Sequence, residues 1–396
     1  MKWYNKYSKL KFFIICFQYL LTNALHAQEN FVFENFSIPQ GLSNPTINCI
    51  CEDKYGFLWL GTNDGLSRYD GYEFKVYKNN PSDSASLPGN SIRTISEDNE
   101  GNLWIGGNNV LAKYDSKNDN FISVKFDRGQ NVNPPIINKI FIDHENKIWI
   151  GTNEFGVHLL NPEKMNTKRI NFILNGEVIF NGDIFSIIET STEDILALDY
   201  GSGIFYYNEG SDEFQLYNNL GTNKVGSTSL VLHEDEFNRL WVGGEESLLI
   251  YNGDNKRLEK VESFSRAFGT TLSRGTINIL KDKVGFLWLA TLDAGLYRYN
   301  PVDNTFFHFT GSSNNKSSIK SAAILSLFQD SFGNIWIGTR LDGLYKVDPN
   351  KQPMNILQIP ENFKTNSAID RITAVAKSEK SNEMAIGTAG LGVFWG

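Results

Sequence analysis

Catalysis needs acids, bases or nucleophiles at workable spacings, and the five histidines, 45 carboxylates and three cysteines of this chain supply few such arrangements. His26, His144, His158, His233 and His308 fall in different segments, and no pair has the spacing by which two imidazoles on one element share a metal. A glycosidase would need two carboxyl groups about 5 to 10 Å apart. Asp53, Asp98, Asp143, Asp235, Asp282 and Asp330, however, recur at one turn position, where capping of the turn accounts for them. The Ser-x-Asp-x-Gly spacing of sialidases is not reproduced, and the chain has no phosphate-cradling glycine loop, nucleophile motif or kinase signature. Cys49 and Cys51 stand two apart in an extended segment, on one face of a strand, where a bridge would close too small a ring. They read as buried thiols, with no further cysteine or nearby histidine to complete a ligand set. The expectation is no catalytic residue, no metal and no cofactor.

Binding chemistry is better represented. Asp64, Arg93, Asn108, Asn153, Glu154, Tyr200, Glu245, Arg274, Asp293, Arg340 and Asp342 are residues that no repeat explains, and they fall in loops expected to converge on one mouth. Arg93, Arg274 and Arg340 stand out because a guanidinium can grip a carboxylate or a sulfate with two parallel hydrogen bonds. Each taken singly reads first as solvated or held in a local ion pair, so the group defines a neighbourhood and not a constellation.

The elements that would position these residues are written in a repeat. Six of the eight tryptophans, Trp59, Trp104, Trp149, Trp241, Trp288 and Trp336, sit in equivalent sentences, among them DKYGFLWLGT, DNEGNLWIGG and DSFGNIWIGT. Their separations are 45, 45, 92, 47 and 48 residues, and the gap of 92 holds a further copy with Leu196 at the Trp position. An eighth copy places Ala385 there, so the chain is an array of units of roughly 47 residues. In the first copy, TINCICE, FLWLG, LSRY and EFKVY read as four short strands, separated by DKYG, a loop over 62–65 and Asp70-Gly71. Four antiparallel strands per period is the pattern of a propeller blade. A β-solenoid usually has shorter coils without two hairpin turns, and an α-solenoid would need an apolar stripe of helical period.

Three before the Trp stand Gly56, Gly101, Asn146, Asn238, Gly285, Gly333 and Asn382, residue types that tolerate positive φ; the fourth copy departs with Glu193. Recurrence of the Trp in nearly every unit argues for packing between sheets over a sugar-stacking platform, since a ligand would not need six copies. Gly61, Gly106, Gly151, Gly243, Gly338 and Gly387, two residues beyond, suggest close approach of neighbouring sheets.

Composition agrees with an all-β reading: 41% hydrophobic and 13% aromatic residues, 34 glycines and 11 prolines suit a large core with many tight turns. A net charge of -8 argues against a nucleic-acid surface, which would need clustered cations. Residues 1–27 read as a signal peptide: four lysines, the apolar run FFIICFQYLL and Ala27 before the cut. Its removal takes the net charge to -12, and the run is too short to span a membrane, which needs about 20 residues. The product is expected in the periplasm, with no membrane contact after cleavage.

The sentence D-x-x-G-x-L-W-I-G-T-x-x-G-L-x-x-Y-[DN], clear in GFLWLGTNDGLSRYD, GFLWLATLDAGLYRYN and GNIWIGTRLDGLYKVD, resembles the regulator-propeller repeat of sensor regions in Bacteroidetes hybrid two-component systems. The opening FENFSIPQGLSNPTINCICED is similar to the start of such sensors, and the resemblance covers roughly residues 31 to 396. It implies two seven-bladed propellers, followed in the family by an immunoglobulin-like domain, a membrane helix, a kinase, a receiver and usually a DNA-binding module. On that basis residues 28–350 are expected to form one seven-bladed propeller, with 31–36 closing the last blade, and 351–396 to begin a second one. The alternative is that the eighth repeat takes the N-terminal strand and completes an eight-bladed ring. The function implied is a ligand-sensing region truncated before membrane helix and kinase, recognising an oligosaccharide-like small molecule and forming a homodimer in the full-length context. A periplasmic protein-interaction scaffold and a polysaccharide-acting enzyme are the alternatives.

Overall fold

The computed structural model describes residues 31–126, 135–179, 182–218, 229–244, 248–252, 257–261, 275–309 and 318–350, together with strands at 372–377, 384–388 and 392–395. The expected leader, the expected cleavage site, Glu245 and Arg274 lie outside the described residues. Two compact units are present, Met1–Lys351 and Gln352–Gly396.

Blade one shows how the repeat folds. Ile47–Glu52, Leu58–Thr62, Gly65–Tyr69 and Phe74–Tyr77 form an antiparallel meander. The second strand is buried at every position because it lies in the middle of the blade with neighbouring sheets on both faces. Among the described residues the first unit contains seven such four-stranded blades. Their first strands are Ile47–Glu52, Ile92–Glu97, Ile137–Ile142, Ile184–Glu189, Ser229–Glu234, Thr276–Lys281 and Ile324–Gln329. Successive first strands pack on one another, and the seventh packs on the first, which closes the ring. The outer strand of blade three, Asn166–Leu174, is unusually long and also pairs in parallel with the outer strand of blade four through Asn171–Ile173.

Blade seven takes its fourth strand from the other end of the chain: Glu34–Phe36 pairs antiparallel with Leu344–Val347. Phe31 and Phe33 pack beyond it on Trp288 and Phe309. An open edge is thereby covered. The seam is bonded like the other blade boundaries. The Ser331 N–H of blade seven donates to Glu52 at 2.7 Å, as Lys54 N–H does to Glu97 and Lys283 N–H to Gln329, both at 2.9 Å.

The tryptophans are core. Trp59, Trp104, Trp149, Trp241, Trp288 and Trp336 are buried, and Trp59, Trp149 and Trp241 each meet a tyrosine of the next blade, Tyr114, Tyr207 and Tyr299, edge to face. Each indole N–H donates to the aspartate six residues earlier, at 2.7 to 2.9 Å. The recurring aspartates thus do more than cap their turn. One oxygen takes backbone N–H groups of the turn and the other takes the indole, so a buried carboxylate and a buried indole satisfy each other. In blade four both members change together, to Thr190 and Leu196; the Thr190 hydroxyl keeps the backbone bond, from Asp194 N–H at 3.1 Å, and meets the Thr192 hydroxyl at 2.9 Å.

The glycine expectation has a steric basis. A Cβ on Gly106 would lie 2.6 Å from Ile137 Cγ2 of the next blade, and one on Gly338 would lie 2.7 Å from the Ile47 carbonyl across the seam. The turn position has φ of 84° at Gly56, 66° at Asn146 and 58° at Asn238, and Glu193 adopts it too, at 66°. The second unit is a three-stranded antiparallel sheet of Ile372–Lys377, Met384–Thr388 and Gly392–Trp395.

Candidate functional site

Every first strand begins with an irregularity. Ile47 pairs with Thr62 and Cys49 with Gly61, so Asn48 is left between them, and the same register shift recurs at Arg93, Asn138, Phe185, Leu230, Ile277 and Leu325. A bulge of this kind leaves one residue out of the ladder and re-aims it. Here it faces the axis: Asn48, Arg93, Asn138, Phe185, Ile277 and Leu325 line one cavity of about 750 Å³ at the centre of the ring. The residue after the second strand adds a second tier, of which Asn63, Leu292 and Arg340 line the same cavity.

The wall is two-sided. Blades one to three present amides and a guanidinium. Asn48 Nδ2 donates to Asn63 Oδ1 at 2.9 Å and to the Ile92 carbonyl at 2.7 Å. Arg93 donates from Nε to Asn108 Oδ1 at 2.9 Å and from NH1 to Asn138 Oδ1 at 3.2 Å. Blades four, six and seven present Phe185, Ile277, Leu292 and Leu325, with Ser186, Asn278, Ser326 and Arg340 also lining the cavity there. Tyr200 stands over Phe185 with ring centroids 5.8 Å apart. Cys49 and Lys139 also line the cavity. Burial pushes the Cys49 and Cys51 thiols up, Cys51 to about 12, and holds the Lys139 ammonium below the usual lysine range. Both cysteines are free and partly buried, and neither is a poised nucleophile.

The structure therefore sorts the sequence candidates. Arg93 and Arg340 line the cavity, Asn108 braces Arg93, and Tyr200 extends the aromatic side. Five others do not line it. Asp64 pairs with Lys78 at 2.5 Å, on the outer side of blade one. Asn153 donates its backbone N–H to the Ile136 carbonyl, and Glu154, at a φ of 67°, donates its own to Asp183 at 2.7 Å. Asp293 lies near Tyr297, whose hydroxyl is pushed up to about 12, first by burial and then by that carboxylate. Asp342 donates its N–H to the Thr339 hydroxyl and its carbonyl accepts from Asn35 Nδ2, so it serves the closing seam. Sequence reasoning missed Asn48, Asn63, Asn138, Lys139, Phe185, Ile277, Leu292 and Leu325. The signal was the residue just inside the start of each first strand, which reads as an ordinary strand position until the bulge is seen. Among the described residues no group of three or more His, Cys, Asp or Glu could hold a metal ion.

Fold and site together define a β-propeller with an amphipathic axial cavity. The two-component regulator propeller family matches the chain at residues 41–64, 86–109 and 318–340. Those three stretches carry the regulator-propeller repeat. Histidine kinase P4 of Formosa agariphila is 45% identical over 76 residues, 19% of this chain and 6% of that protein. The extracellular domain of the hybrid two-component system BT3049 of B. thetaiotaomicron superposes with a TM-score of 0.70 at 22% identity, over 92% of this chain and 48% of that one. The chain thus spans about half the length of that solved domain. Virginiamycin B lyase of Staphylococcus aureus superposes with a TM-score of 0.60 at 14% identity, over 81% of this chain and 99% of its own. The fold is shared with an extracellular domain of a two-component system and with an enzyme, so the fold alone does not decide chemistry. Among the described residues no helix is long and apolar enough to cross a membrane.

Proposed function

We propose that this chain is a ligand-sensing propeller region of a two-component sensor, exported to the periplasm by its N-terminal leader, and that it recognises an oligosaccharide or a related breakdown product at the mouth of the axial cavity. In this reading residues 351–396 open a second propeller. Their sheet repeats the register shift of the blades, between Ile372 and Ala374. The observation that carries the ligand class is the two-sided wall. Amides offer both donors and acceptors to sugar hydroxyls, and an aromatic face takes the C–H face of a pyranose ring. Asn48, Asn63 and Asn138 stand on one side and the Phe185–Tyr200 pair extends the other. Calorimetric titration of the purified chain with a panel of oligosaccharides tests it. Saturable binding lost on Asn138→Ala and Tyr200→Ala is expected; binding that ignores both substitutions, or none across the panel, overturns it.

A second reading, a docking scaffold, has one observation of its own. On the opposite face Phe237, Val284, Phe332 and Tyr55 are exposed at the same turn position of blades five, six, seven and one. Stoichiometric retention of a periplasmic protein, abolished by Phe332→Asp while sugar titrations are unchanged, would favour it.

A further inference from the structure

The charge inside the cavity is opposite to that of the chain. Among the described residues lining it, Arg93, Lys139 and Arg340 are cationic and none is Asp or Glu, in a protein of net charge -8. Several cations elsewhere are paired: Lys75, Lys78, Lys147, Arg239 and Lys281 all meet carboxylates. The three in the cavity meet none among the described residues. Arg93 is braced by two amide oxygens, which carry no charge, so its positive charge is positioned without being neutralised.

The brace has a further consequence. A guanidinium only donates, so the Asn138 oxygen must turn toward Arg93 and its NH2 group away. That Nδ2 is buried and has no hydrogen-bond partner. An unmet donor of this kind costs about 1 to 3 kcal/mol, and an uncompensated cation beside it costs more. A low-dielectric channel also focuses the field of its cations on whatever enters.

We infer that the cavity is an anion seat, in which Arg93, Lys139 and Arg340 receive a carboxylate or sulfate carried by a saccharide. The saccharide part follows from the apolar residues interspersed in the wall: Phe185, Ile277, Leu292 and Leu325 offer no polar group to the shell of a bare inorganic ion, and instead suit the C–H face of a ring. The inference rests on the ligand-sensing reading of this mouth and narrows it from saccharides in general to acidic ones.

The test titrates the purified chain with a disaccharide ending in glucuronate, the matched disaccharide carrying a sulfate ester, the matched neutral disaccharide, and free glucuronate and inorganic sulfate. At least one acidic disaccharide is expected to bind ten-fold or more tightly than the neutral one, with affinity falling as salt is added, and the better of the two names the anion. Lys139→Met and Arg93→Gln should each weaken that binding about ten-fold, Lys139→Arg should keep it, and thermal melts of all three should confirm folding. Equal binding of the neutral disaccharide, unmoved by Lys139→Met, overturns the anion seat and leaves the sensing reading standing. Lys139-dependent binding of free sulfate or glucuronate, with no gain from either disaccharide, keeps the seat and sinks the saccharide. Binding of none of the five overturns both.

Discussion

The indole N–H of Trp149 donates to Oδ2 of Asp143 at 2.8 Å, while Oδ1 of the same carboxylate takes the backbone N–H of Lys147 at 2.7 Å. One buried acid therefore ties a turn to the strand that follows it, and the pairing recurs in six blades.

Asp143→Ala should accordingly destabilise the protein by about 2 to 4 kcal/mol, because it orphans both an indole and a backbone donor. Trp149→Phe should cost about 1 to 3 kcal/mol, and the double variant less than the two together. Denaturant unfolding of all four proteins reads the coupling. Strict additivity would mean that the hydrogen bond contributes nothing beyond shape.

Glu193 occupies the left-handed turn position at a φ of 66°, with its side chain exposed. Its contact with His144, at 3.9 Å, is solvent-screened. Glu193→Gly or Glu193→Asn should raise stability by about 0.5 to 1 kcal/mol. The unfolding midpoint in urea should move up at constant slope.

Asp199 stands where blades one, three, six and seven carry Thr62, Thr152, Thr291 and Thr339, whose hydroxyls donate to the glycine carbonyl that closes the loop. It is buried, its Oδ1 has no partner, and burial raises its pKa to about 6. The folded state thus holds this proton more tightly than the unfolded chain. Its favourable contribution is complete below pH of about 4 and is lost as pH rises through about 6. Asp199→Asn should leave thermal stability near pH 4 almost unchanged and raise it at pH 7.5, by up to about 3 kcal/mol. A variant equally affected at both pH values would contradict the burial argument.

Deleting residues up to Phe36 removes the strand that covers Leu344–Val347. Backbone amides of blade seven should then lose protection in hydrogen exchange while blades two to four keep theirs, and the protein should associate through the bared edge. Uniform loss of protection would instead indicate that the ring melts as one body.

What was legible in the sequence is what acts within about ten residues. The Asp and Trp six apart, the Gly or Asn three before the Trp, and the alternation of turns and short strands are local requirements, so each is repeated with the unit and can be counted. They determined the blade, and even the departures at Thr190, Glu193 and Leu196 mark one blade whose turn is built with different partners. The cavity is different. Asn48, Arg93, Asn138 and Phe185 stand 45 to 47 residues apart along the chain and meet only because the blades close into a ring. Each faces the axis only because a bulge takes it out of the ladder, and nothing in an extended segment announces a bulge. Lys139 and Asn138 look like ordinary exposed-strand residues until the neighbouring blades enclose them. The tertiary structure alone decided which side chains share the axis, because convergence is a property of the closed ring and not of any single repeat.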